Sequence, residues 1–189
     1  MINKIIENRL YIGSSLLLCS LTYLLNCCTA IYQCALIFTI IAITINTTTA
    51  ICGRFKSLIG LVIAIVISFV LLWKIPYYID GHIVNGLVLA SFLSLMISLY
   101  WSTFALKRFY SQFSFVVSNA LSLIIAALID GLIMTLFFVF NNNFTYSRIL
   151  DIFSRELSYK IFYGFLASII IFAAFKIFKV TNNPNYKLK

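Results

Sequence analysis

A single acid, Asp130, sits inside the apolar stretch NALSLIIAALIDGLIMTLFFVF, residues 119–140. Counting forward from Asn119, residues Ser122, Ala126 and Asp130 follow at intervals of three, four and four, so all four share one helical face. Insertion scales charge an ionised aspartate at a helix centre about 2.5–3.5 kcal/mol, so that face is expected to turn into a helix bundle and away from lipid. Two chemistries fit it. Asp130 is either a site residue that pairs with a substrate or relays a proton, or one end of an interhelical hydrogen bond that fixes packing.

Other polar residues stand in comparable positions. Ser91, Ser94, Ser98 and Ser102 of SFLSLMISLYWS are spaced three, four and four and form a narrow stripe. Small residues at that spacing allow close helix approach, and a hydroxyl stripe also suits a cavity wall. In TIIAITINTTTAICG the threonines can bond to their own helix backbone. Asn46 has four hydrogen-bonding sites and needs partners, either another helix or a ligand. Lys160 and Tyr163, one turn apart, open the last apolar run; Lys160 either snorkels to headgroups or reaches an anionic group such as Asp130. Gly164 and Ser168 suit close packing. The expected binding set is therefore Asp130, Asn46, Asn119, Ser122, Ser98 and Ser102, with Lys160 and Tyr163 as further candidates. No catalytic residue, metal site or cofactor is expected. The spans hold no paired acids or serine–base arrangement, His82 is a lone loop histidine, and five cysteines lack metal-ligand spacing and read as small hydrophobes.

The elements that must position these groups follow from composition. Of 189 residues, 62% are apolar and 10% charged, against roughly 45–50% and about 25% in soluble domains. Such a chain needs a bilayer around it. Six runs approach the roughly 20 residues that cross the hydrocarbon core: about 9–27, 30–52, 57–74, 83–106, 113–140 and 158–179. Period-two alternation is absent, so the fold class is an all-α integral membrane protein with a single six-helix transmembrane domain over 1–189. The first run reads as a retained span, because no small-x-small cleavage site follows it.

The net charge of +9 is scattered in short turns, which argues against nucleic-acid binding and for orientation signals. Lys4, Arg9, Arg54, Lys56, Lys107, Arg108, Lys176, Lys179, Lys187 and Lys189 fall on one side; Lys74, Arg148, Arg155 and Lys160 fall on the other. The excess places both termini in the cytoplasm. In the connection NNNFTYSRILDIFSREL, Ile149, Ile152, Phe153 and Leu157 are grouped on one face and Arg148, Asp151, Arg155 and Glu156 on another, which predicts a short helix lying on the outer interface or forming a lid. Asn143 begins a glycosylation sequon, relevant only in a secretory compartment.

The order of these pieces resembles the six-span VUT family, the vitamin uptake transporter-like proteins that include queuosine precursor transporters. The resemblance covers most of residues 30–178. It rests on INTTTAICG, on ASF followed by LSLMISLYWSTFALKR, on SLIIAALID with serine eight residues before aspartate, and on SYKIFYGF. It implies uptake of 7-cyano- or 7-aminomethyl-7-deazaguanine across a bacterial inner membrane. Asn46, Ser102 and Ala50 stand where acids and an arginine belong, which implies a divergent member. The alternative class is a non-catalytic membrane subunit, or the substrate-binding component of a larger transport complex, with its polar stripes serving as helix glue. The expected partners are the lipid bilayer and a small-molecule substrate, a deazapurine if the resemblance extends to function.

Overall fold

The computed structural model describes residues 2–73, 78–79, 82–141 and 144–177. Six helices account for nearly all of them: α1 (Ile2–Cys27), α2 (Ile31–Cys52), α3 (Arg54–Leu72), α4 (Leu87–Tyr110), α5 (Phe115–Asn141) and α6 (Tyr146–Ile177). All six contain segments long and apolar enough to cross a bilayer, so the chain has the build of a multi-pass membrane protein. Between α3 and α4, two short strands, β1 (Tyr78–Ile79) and β2 (His82–Ile83), pair antiparallel. Pro76 and Gly81, the sequon at Asn143, the side chain of His82 and residues 74 and 178–179 of the expected spans lie outside what is described.

Helix α2 is the centre of the bundle and touches every other helix. Half of its apolar segment is buried, against 17–39% for the others. Phe38, Ile41, Ala42 and Ile45 of α2 pack with Leu18 of α1, Leu61 and Ala64 of α3, Leu95 and Leu99 of α4, and Leu123 and Ala126 of α5. The threonines of α2 behave as expected: Thr39, Thr44 and Thr48 donate to carbonyls four residues back at 2.7–2.8 Å. Outward faces are strongly apolar, with Val62, Val66 and Val70 on α3 and Phe162, Phe165 and Ile169 on α6 all exposed. Water would penalise that surface; lipid does not.

Two joints explain the tight connections. Gly53 alone separates α2 from α3, with φ 89° and ψ 157°, a backbone conformation closed to residues with a Cβ. Its N–H caps Thr49 O at 3.1 Å and its carbonyl accepts from Ser57 N at 3.3 Å. Gly86, at φ 81°, plays the corresponding part before α4.

The clearest departure from expectation is at α6. In place of a short interfacial helix followed by a span beginning at 158, one helix runs without interruption from Tyr146. No Pro interrupts this stretch, and its exposed side is sustained by Asp151, which accepts from Arg155 Nε at 2.8 Å and from Arg148 Nη1 at 3.5 Å. Ile149 is buried, and the ring of Phe153 presses on α5 beside Gly131. A Cβ at Gly131 would stand 2.8 Å from Phe153 Cε2, so the glycine after Asp130 is what lets α6 approach there.

Candidate functional site

Asp130 and Lys160 meet in the core. Asp130 is 6% exposed and Lys160 3%, and the Lys160 ammonium donates to Asp130 Oδ2 and also to Glu156 Oε1 one turn earlier on α6. Ser94 of the α4 stripe completes the group by donating to Asp130 Oδ1 at 2.6 Å. The ammonium also lies 4.3 Å from the centroid of the Phe38 ring on α2. Of the two sequence readings of Lys160, snorkelling is thus replaced by pairing with Asp130. Uncompensated, each of these charges would cost several kcal/mol to bury; pairing and hydrogen bonds offset that cost.

The expectation that the spans hold no paired acids is also corrected, because Glu156 lies within the continuous α6. At helical spacing Ile149, Phe153, Glu156 and Lys160 fall on one stripe. Glu156 accordingly turns inward, away from the Asp151 and Arg155 side to which its polarity had assigned it.

Above this triad is a cavity of about 390 Å³. Its walls include Leu25 and Asn26 of α1, Cys28 and Thr29 of the α1–α2 loop, Cys34 and Phe38 of α2, Leu87 and Ser91 of α4, Met134 and Phe138 of α5, and Arg148 and Ile152 of α6. These residues place it toward the end of the bundle carrying the α1–α2, α3–α4 and α5–α6 connections. An apolar wall with a few convergent charged groups at one end is the usual build of a small-molecule site.

The remaining expected residues gather elsewhere. Asn46 Nδ2 donates to Asn119 Oδ1 at 2.9 Å and to Ser122 Oγ at 2.8 Å. Ser102 Oγ donates to Asn46 Oδ1 at 3.3 Å and shares its proton with Ser122 O at 3.2 Å. Asn46, Asn119, Ser122 and Ser102 are all completely buried, and none lines the cavity. Eleven residues of α5 separate Asn119 from Asp130, roughly 16 Å along the axis. Near this knot, at the opposite end of the bundle, Arg54 Nε donates to Thr103 Oγ1 at 3.2 Å and the guanidinium stacks 4.4 Å from the Tyr100 ring. Ser98 donates to Leu95 O of its own helix, and Tyr163 stacks on Tyr159; neither reaches the cavity. The sequence-derived set therefore divides, with Asp130 and Lys160 at the cavity and the asparagine and serine residues in a separate, dry knot.

Glu156 and Arg148 were not anticipated. For Glu156 the signal was present as a Glu–Lys pair four residues apart. Arg148 had none beyond its place on the same helix. All five cysteines are thiols, and no group of three or more His, Cys, Asp or Glu that could hold a metal occurs among the described residues. No family model matches the chain, and neither a curated protein nor a solved structure matches it significantly.

Proposed function

We propose that this multi-pass membrane protein is a small-molecule transporter and that its substrate occupies the cavity above Asp130, Lys160 and Glu156. One observation carries the reading: an accessible cavity of about 390 Å³ ends on a buried ion triad contributed by two helices. Ion triads that only hold helices together have no need of a cavity, and intramembrane charges typically mark substrate or ion pathways. The volume lies within the roughly 300–1,000 Å³ range of ligand pockets.

The resemblance to the VUT family supports a 7-deazaguanine as substrate and a bacterial inner membrane as location. Asp130 and Glu156 supply carboxylates for the donor edge of such a ring, and Phe38 and Phe138 supply apolar walls. The test is uptake of labelled 7-cyano- and 7-aminomethyl-7-deazaguanine by cells that cannot make them. Expression of the chain should confer uptake, and Asp130→Asn should abolish it at unchanged protein level. Absence of uptake together with copurification of a fixed partner would replace this reading with that of a non-catalytic subunit.

A further inference from the structure

The triad is not balanced. Two carboxylates, Asp130 and Glu156, share one ammonium, that of Lys160, at the buried end of the cavity. Among the described residues, the other helices bordering this end contribute neutral groups: Asn26 from α1, Cys34 and Phe38 from α2, and Ser91 and Ser94 from α4. Arg148 lines the cavity two turns closer to the α6 start, and its guanidinium donates to Asp151, which Arg155 also engages. The triad taken alone thus sums to one negative charge, strongly felt where the dielectric is low, and Arg148 is the second cation of the lining.

The hydrogen-bonding capacity is uneven in the same direction. Lys160 has three donors; two go to Asp130 and Glu156, and its charge rests against the Phe38 ring. Asp130 is also occupied, with Oδ1 taken by Ser94 and Oδ2 by Lys160. Glu156 is only half used: Oε1 accepts from Lys160, and among the described residues no donor reaches Oε2. Glu156 lines the cavity and its side chain keeps 18% exposure, so its open acceptor is in reach of whatever enters. A lysine already engaged on two sides has little left for an anion, whereas the glutamate presents an open acceptor.

We propose that the cavity selects a small organic monocation, a protonated amine on an apolar or aromatic body, with the ammonium held by Glu156 Oε2 and the body against Phe38, Met134 and Phe138. This deepens the transporter reading, on which it rests, by naming the charge of the substrate. Within that reading it favours a protonated amine over an anion and over a neutral ring such as the 7-cyano compound.

The experiment uses the full chain purified in detergent and three probes of matched shape: benzylammonium, benzyl alcohol and benzoate. Each is titrated while the thermal unfolding midpoint is followed, since a ligand that binds the native state raises it by mass action. Benzylammonium should give a saturable rise, and the other two none at the same concentrations. Glu156→Gln, which keeps the shape and removes the charge, should weaken the benzylammonium response by about tenfold or more, equivalent to 1.4 kcal/mol or more. An equal or larger response to benzyl alcohol or benzoate, an unchanged response in Glu156→Gln, or no response to any probe overturns the proposal. The comparison among probes needs no variant, so it holds even if Glu156→Gln folds poorly. Failure here with deazaguanine uptake intact discards the cation and keeps the transporter; benzylammonium binding without transport of any cation does the reverse.

Discussion

Helix α5 carries two polar clusters on one face, and they behave as opposites. Toward its middle, Asp130 joins Lys160 and Glu156 beneath a cavity; toward its start, Asn119 and Ser122 join Asn46 and Ser102, all fully buried and none lining that cavity. The first cluster is charged, reachable and electrostatically incomplete. The second is neutral, fully buried and bonded within itself except at Asn119 Nδ2. Two polar groups on one helical face can therefore serve different ends, because what each does depends on whether the facing helices leave room beside it.

That contrast can be broken most forcefully at the ion triad. Lys160→Met leaves two carboxylates buried without their cation and should destabilise the protein by about 3–5 kcal/mol. Thermal unfolding in detergent reads this, and adding Asp130→Asn and Glu156→Gln should recover most of the loss. If the single variant unfolds at the wild-type temperature, the triad is not a buried charge cluster.

The dry knot should respond differently. Asn46→Leu strands the polar groups of Asn119 and Ser122 and should cost about 1–3 kcal/mol. Benzylammonium binding by the surviving folded protein should be unchanged, because none of the four residues touches the cavity. A variant that keeps full stability but loses binding would merge the two regions into one site.

Between them stands a packing contact. Gly131→Ala places a methyl 2.8 Å from Phe153 Cε2 and should cost about 1–3 kcal/mol by overpacking. Phe153→Leu in the same chain should relieve it, which a double-mutant cycle measures. The smallest effect belongs to the outer side of α6. Arg155 and Asp151 pair at 2.8 Å with side chains 61% and 36% exposed, so Arg155→Ala should shift stability by at most about 0.5 kcal/mol and leave binding alone.

Much of this was legible in residue types and spacing. Six apolar runs define the helices because lipid demands long uninterrupted ones, and Asp130 is conspicuous because hydrocarbon tolerates so few acids. Cross-helix partners were harder. Asn46 and Asn119 each announce a need for hydrogen bonds, but 73 residues separate them and no local rule links α2 to α5. Glu156 was misassigned for a physical reason: its polarity suggested the solvent side, whereas its spacing from Ile149 and Lys160 puts it on the buried stripe. The start of α6 was missed for the same reason, since a segment with charges on one side resembles an interfacial helix until its apolar side is seen packed on α5. The serine stripe of α4 is the instructive case, because packing and cavity readings both hold, at different residues. Ser91 borders the cavity, Ser94 holds Asp130, Ser98 bonds to its own helix and Ser102 joins the knot.

The same stripe permits the most direct measurement. In a folded background whose native cysteines are replaced, Ser91→Cys and Ser102→Cys place one thiol in each region of a single helix. A small membrane-impermeant thiol reagent is then applied from each side of sealed vesicles. Rapid labelling at 91 from the side of the α1–α2 loop, with no labelling at 102 from either side, is the predicted result. Equal labelling at the two positions, or labelling at 102 alone, would contradict the division into an open charged site and a closed neutral knot.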